Sequence, residues 1–213
     1  MARYVMVSLV LLCKSEIAQV KSSIFNRYQV LVSMDFIAIG LFFLVLLIAL
    51  SIVWSTLKTG ISPMMSSSKA RQTMLNAISM DEKGALIDLG SGWGTLVIAV
   101  AKNYPNKHVI GYELSWFPWM VSVLFKYSLG LGNLTLYRKD FKNADLSSAS
   151  TLVCYLFPGG MVALEDKLKH EKVNNKITIV SNTFALPSCK PTNVIKLKDF
   201  YQTPIYVYHW QSK

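Results

Sequence analysis

Residues 88–94 read Asp-Leu-Gly-Ser-Gly-Trp-Gly and follow directly on the apolar run Ala85-Leu86-Ile87. A carboxylate that closes a strand, followed by glycine at every second position, makes a loop whose backbone can approach a ligand closely. Residues 95–102 (Thr-Leu-Val-Ile-Ala-Val-Ala-Lys) read as a helix, so its unpaired N–H groups would face the same place. The competing dinucleotide fingerprint, G-x-G-x-x-G, requires glycine at position 95, where Thr95 stands. The spacing G-x-G-x-G, with Asp88 two residues ahead of the first glycine, suits S-adenosyl-L-methionine (SAM) instead. Asp88, Gly90, Ser91, Gly92 and Gly94 are the candidate contacts.

Two further acids fall at strand ends. The run 108–112 (His-Val-Ile-Gly-Tyr) ends at Glu113, whose carboxylate suits a pair of ribose hydroxyls. The run 134–138 ends near Asp140 and Phe141, an acceptor for an adenine amino group beside a ring to lie against it. Taken singly, Asp88 fits a helix cap, Glu113 a solvated residue and Asp140 a turn cap. Taken in order at three successive strand ends, with the glycine loop in register, they read as one cofactor site. A fourth run, 152–156, leads into Phe157-Pro158-Gly159-Gly160. Phe157 and Pro158 are the candidates for positioning a methyl acceptor, because an apolar, aromatic channel can hold an amine through backbone carbonyls. His108, His170 and His209 form no triad, and no metal site is expected.

The elements that must position these residues alternate. Strand-like runs at 85–89, 108–112, 134–138, 152–156 and 177–181 are separated by helical runs at 95–104, 118–129 and 160–171, the pattern of parallel β-α-β units. The last two strand-like runs, 194–200 and 205–210, have only 201–204 between them, so they form an antiparallel hairpin. The expected fold is therefore α/β, a doubly wound seven-stranded Rossmann-like sheet of five parallel strands plus a C-terminal hairpin. Its ligand belongs at the carboxyl ends of the strands.

Composition adds a second part. The chain is 52% hydrophobic and 16% charged, too apolar for an ordinary soluble domain. The excess is concentrated in residues 36–55, which carry no charge and as a helix cover roughly 30 Å, the thickness of a bilayer core. The expected division is an N-terminal extension (1–34), a transmembrane helix (35–56), a linker rich in Ser, Gly and Pro (57–68) and a catalytic domain (69–213) that opens on an amphipathic helix over 69–80. Met34, just before Asp35, is a candidate translation start, which would make residues 1–33 a non-native extension. Three scattered cysteines support neither a disulfide framework nor a zinc site. The net charge of +10 fits attraction to an anionic membrane surface; a nucleic-acid partner is not expected.

The stretches 88–94, 111–114 (Gly-Tyr-Glu-Leu), 140–141, 156–161 (Leu-Phe-Pro-Gly-Gly-Met), 180–187 (Val-Ser-Asn-Thr-Phe-Ala-Leu-Pro) and 201–206 together resemble the class I SAM-dependent methyltransferases. Within them the chain resembles the membrane-anchored group of ATP synthase c-subunit lysine methyltransferases and their bacterial relatives. That resemblance implies protein-lysine N-methylation of a membrane protein, and a segment 63–68 that helps cover the cofactor. Phospholipid or quinone methylation, and a non-catalytic SAM-binding scaffold, are the alternatives. The post-strand-four segment lacks the Asn-Pro-Pro-aromatic motif expected for amino groups of nucleic-acid bases. Trp93 stands where the lysine methyltransferases carry an acid, a departure that bears on the acceptor; Trp93, Trp116 and Trp119 are candidates to line its mouth. Expected partners are the lipid bilayer and a membrane-protein or membrane-lipid acceptor. The chain is expected to be single-pass, with the catalytic domain on the cytoplasmic side, where SAM is found and where Lys58, Lys69 and Arg71 satisfy the positive-inside rule.

Overall fold

The computed structural model describes residues 2–59, 66–78, 83–171 and 176–211. Helix α1 (Ala2–Thr59) runs unbroken through the expected boundary at 34/35. No glycine or proline occurs before Gly40, so nothing in the chain stops the helix there. Asp35–Trp54 is long and apolar enough to cross a membrane by length and composition, with a mean hydropathy of 3.1. The chain divides into two compact units, Met1–Ala49 and Leu50–Lys213, so that division falls inside α1.

In the second unit, helix α2 (Ser68–Asn76) precedes β1 (Ala85–Leu89), α3 (Thr95–Asn103), β2 (Val109–Tyr112), α4 (Trp116–Ser128), β3 (Leu134–Tyr137), β4 (Ala149–Cys154), α5 (Pro158–His170), β5 (Ile177–Asn182), β6 (Asn193–Lys196) and β7 (Pro204–Trp210). They build one seven-stranded sheet in the order β3-β2-β1-β4-β5-β7-β6. The first five strands are parallel, and β7 pairs antiparallel with both β5 and β6. β1, β4 and β5 are buried at every position, as expected of central parallel strands covered on both faces. Ile87, Leu89, Leu152 and Cys154 share one core with Met161, Leu164 and Leu168 of α5. Leu86, Val153 and Val180 share the other with Ala70 and Met74 of α2 and Leu96, Val97 and Val100 of α3.

Three boundaries differ from the sequence expectation for local reasons. α5 starts at Pro158, which takes the first helical position, where proline has no N–H to waste. β6 stops at Lys196 because Asp199 ties off the turn, accepting from Thr203 N at 2.8 Å and from Thr203 Oγ1 at 2.6 Å. α2 is capped by Ser67, whose hydroxyl accepts from Ala70 N at 3.1 Å, and it ends at Asn76. The expected end of that helix, residues 79–80, and the first part of the expected cofactor-covering segment, residues 63–65, lie outside the described residues.

Candidate active site

β1 lies between β2 and β4, with its chain connection leading to β2 on one side and the later strands on the other. The carboxyl edge at that reversal is the crevice in which doubly wound sheets bind ligands. The register places the relevant residues there together. Leu89 pairs with Tyr112 on one side and Cys154 on the other, and Cys154 pairs with Ser181. Gly90, Glu113, Tyr155 and Asn182 therefore follow at one edge.

The glycine loop is built as its sequence requires. Gly90, Gly92 and Gly94 all have positive φ, at 92°, 53° and 76°. At Gly94 there is a second reason: a Cβ would stand 2.7 Å from Ser122 Cβ of α4, so only glycine lets α3 begin against α4. At Gly92 the corresponding direction is open, with no heavy atom within 4 Å. Gly90 N and Ser91 N both donate to Tyr112 O at 2.9 Å, which ties the loop to β2.

Glu113 is buried and clamps this loop. Its Oε2 accepts from Gly92 N at 2.8 Å and its Oε1 from Ser115 N at 2.6 Å. Each oxygen keeps a lone pair for a hydroxyl donor. Asp88 is 5% exposed. Burial first, and the Glu113 charge second, push its carboxyl up from 3.8 to about 7. Ser91 Oγ is buried without a partner among the described residues. A buried acid with no countercharge among the described residues, an orphaned hydroxyl and an open glycine face are what a cationic, polyhydroxylated cofactor would satisfy. The residues present thus fit SAM.

Asp140 is only half-buried, and its Oδ1 accepts from Lys142 N at 3.0 Å, so it caps the short 3-10 turn over 141–143. Its second oxygen is not used in that cap. Phe141 is partly buried and packs against the core under α5. These two therefore carry the structural roles that their types allow, at a place that also borders the site.

On the other side of the crevice, Phe157 turns back over the start of α5: a Cβ on Gly159 would meet its ring at 2.6 Å. Pro158 is exposed. At the same edge Tyr155 is stacked on Phe184 with centroids 6.3 Å apart and planes 18° apart. Phe184 follows β5 and is held by a tight turn. Ser181 Oγ donates to Phe184 O at 2.6 Å, Phe184 N donates to Asn182 O at 2.8 Å, and Thr183 adopts φ 69°, rare for a β-branched residue. Asn182 Nδ2 donates to Ser66 Oγ at 3.3 Å, which brings the segment before α2 to the same edge. Asn182, Thr183 and Phe184 lie in the stretch 180–187 that carries part of the family resemblance, but their residue types alone assign them no role. A second signal is their position after strand five, in register with the post-strand-four turn.

Of the tryptophans, Trp93 meets Phe117 edge-on at 5.7 Å, and Trp119 Nε1 donates to Leu136 O at 3.3 Å, so both help pack α4. Trp116 is exposed. His108 contacts Thr135, His170 its own helix and His209 Thr178, none of them at this edge.

This strand order, glycine loop and row of acids at the strand ends define a class I SAM-dependent methyltransferase domain. More narrowly, residues 88–193 match the family described as the ANTKMT methyltransferase domain. The chain is similar to the human lysine N-methyltransferase of the ATP synthase c-subunit, 33% identical over 115 residues that cover 53% of this chain and 47% of that one. It is also similar to a protein-lysine N-methyltransferase of Saccharolobus islandicus (strain REY15A), 25% identical over 132 residues covering 62% and 81% of the two chains. The chain thus spans about half the length of the human relative. Among solved structures, an RNA methyltransferase from Salinibacter ruber in complex with S-adenosyl-L-homocysteine superposes with a TM-score of 0.63 at 22% identity, over 70% of this chain and 95% of that one. At that identity the likeness is one of fold.

Proposed function

We propose that the chain is a protein-lysine N-methyltransferase that is held at a membrane by Asp35–Trp54 and acts on a membrane protein. The observation that carries the amine acceptor is the composition of the crevice beyond the glycine loop. The segments 154–164 and 181–187 contain no Asp, Glu, His, Lys or Arg, while Tyr155 and Phe184 stand parallel between them. Leu156 reaches to 3.4 Å from the Cβ position of Gly90, so this apolar wall adjoins the cofactor loop.

When bound, SAM supplies a methyl group on a sulfonium, open to in-line attack. The chain's own task is to hold and align the nucleophile and to exclude water. Asp88 would offer a carboxylate to the ammonium of the cofactor's amino-acid end, Glu113 would offer its remaining lone pairs to the ribose, and the α3 N-terminus with the loop N–H groups would suit the cofactor's carboxylate. A lysine acceptor must lose a proton. With a reference pKa of about 10.4 it is only ~0.1% neutral near pH 7.4, a deficit of roughly 4 kcal/mol. Burial between apolar walls lowers that pKa without a dedicated base. The aromatic faces hold the alkyl stem and favour the cationic product, and carbonyls at the strand ends orient the amine.

The similarity to lysine methyltransferases supports the same reading, and the apolar window of α1 supports membrane proximity. The experiment is methyl transfer from radiolabelled SAM to isolated membranes, split into protein and lipid fractions. Label on lysine in a membrane protein is expected. Label in lipid alone would replace the reading with a lipid or quinone methyltransferase, and no label with intact SAM binding would leave a scaffold.

A further inference from the structure

Helix α4 is the surface anomaly of the domain. Its sequence, WFPWMVSVLFKYS, contains one charge, Lys126, and no acid. The face that packs inward carries Pro118 and Ser122, which are buried. Trp116, Met120, Leu124 and Tyr127, at spacings of four, four and three, fall on the opposite stripe of the helix. Trp116 is 50% exposed, Leu124 68% and Tyr127 73%, and Phe125 and Leu129 beside them are also exposed. A surface helix ordinarily turns its polar residues outward; here Phe117 and Trp119 pack inward, and the outward stripe is also made of large apolar side chains. Contiguous apolar surface of this kind marks a binding face.

We infer that this face of α4 docks into the headgroup region of an anionic bilayer. The inference rests on the reading of Asp35–Trp54 as a membrane anchor. Three observations select lipid over a second copy of the chain or another protein. Trp and Tyr sit at the two ends of the stripe with Met and Leu between them, the arrangement of an interfacial helix. Lys126, half-buried, lies 5.5 Å from the Tyr127 ring on the helix itself, and the exposed Arg138 and Lys139 follow the strand on which α4 packs through Trp119, so the helix and the strand behind it carry cations and no acid between them. The chain's net charge of +10 opposes self-association and favours anionic headgroups. Residues 60–67 join α1 to α2 and reach no more than about 29 Å, so an anchored chain keeps the domain within range of the surface.

The consequence is functional. α4 begins three residues after Glu113, at the cofactor edge of the sheet. Docking its stripe brings that edge, and the acceptor wall with it, to the membrane surface, where a lysine at the boundary of a membrane protein is found.

The test uses the full chain with Cys13 and Cys189 replaced by Ala and buried Cys154 left in place. An environment-sensitive fluorophore is attached at Leu124→Cys, Tyr127→Cys or, as reference, Val194→Cys on the opposite edge strand. SAM affinity verifies that each variant is folded. In vesicles of three parts phosphatidylcholine to one part phosphatidylglycerol, lipid-borne quenchers should quench positions 124 and 127 at least threefold more than position 194. The difference should shrink in pure phosphatidylcholine. Equal quenching at all three positions in a chain that floats with the vesicles overturns the docking while leaving the anchor intact. Shielding of position 124 that requires added membrane protein makes α4 a protein contact and also overturns it. A chain that does not float with vesicles overturns the anchor and the docking together.

Discussion

Asp88 predicts a proton linked to cofactor binding. Its carboxyl, 5% exposed and close to the Glu113 charge, is pushed from 3.8 to about 7. Below pH 7 the free protein therefore holds a proton there that an incoming ammonium must displace. The cofactor's own amino group, with a reference pKa of about 7.7–8.0, remains cationic throughout that range. Affinity should accordingly fall about tenfold for each pH unit below 7, reaching ~100-fold, or about 2.7 kcal/mol, at pH 5. Asp88→Asn should bind weakly and lack the slope. Folding stability carries the opposite sign. Between about pH 4 and pH 7 the unfolded chain has released a proton that the folded chain retains, so stability declines as pH rises through that window, by at most about 4 kcal/mol, and is level above it. Calorimetric titration of SAM into the detergent-solubilised full chain from pH 5 to 7.5, in two buffers of different ionisation enthalpy, reads both affinity and proton release. A wild-type affinity flat across that range, or an Asp88→Asn variant that keeps the wild-type slope, refutes the reasoning.

Other expectations concern the acceptor wall and the frame behind it. Phe184→Ala removes the ring stacked on Tyr155, so acceptor KM should rise at least tenfold while SAM affinity is unchanged; paired calorimetry and initial rates separate the two. Thr183→Gly relieves the positive φ at the turn and should stabilise the domain by about 1 kcal/mol in chemical denaturation. Gly94→Ala places a methyl 2.7 Å from Ser122 Cβ at φ 76° and should cost about 1–3 kcal/mol, seen as a lowered Tm. Tyr208→Phe leaves the buried Leu186 N–H without its 2.9 Å partner and should cost about 1–2 kcal/mol by the same measure.

The two sides of the crevice differ in how far they could be read in advance. On the cofactor side, residue type and local order carry the information: glycine at 90, 92 and 94 is demanded by backbone torsion, and an acid at a strand end needs only the strand to be recognised. The acceptor side is a product of strand pairing. Phe157 carries the obvious aromatic signal, and Gly159 and Gly160 leave room for its ring to fold onto α5, whereas the proposed wall pairs Tyr155 with a residue almost thirty positions away. Asp140 shows the same limit, since the turn cap and the ligand contact use one side chain type and only the hydrogen bond to Lys142 N reveals that the cap is made.

By itself the sequence determined the parallel sheet with its hairpin, the apolar window within α1, and the glycine loop with Asp88 and Glu113, because periodicity, glycine spacing and uncharged length are local properties of a chain. Tertiary structure alone decided that Glu113 clamps the loop it serves, that Asp88 is buried beside the Glu113 charge, that Phe184 meets Tyr155, and that α4 turns its aromatic stripe outward. Each of those depends on which surfaces the packed strands and helices cover, and burial is a property of the whole fold that no short stretch of residues contains.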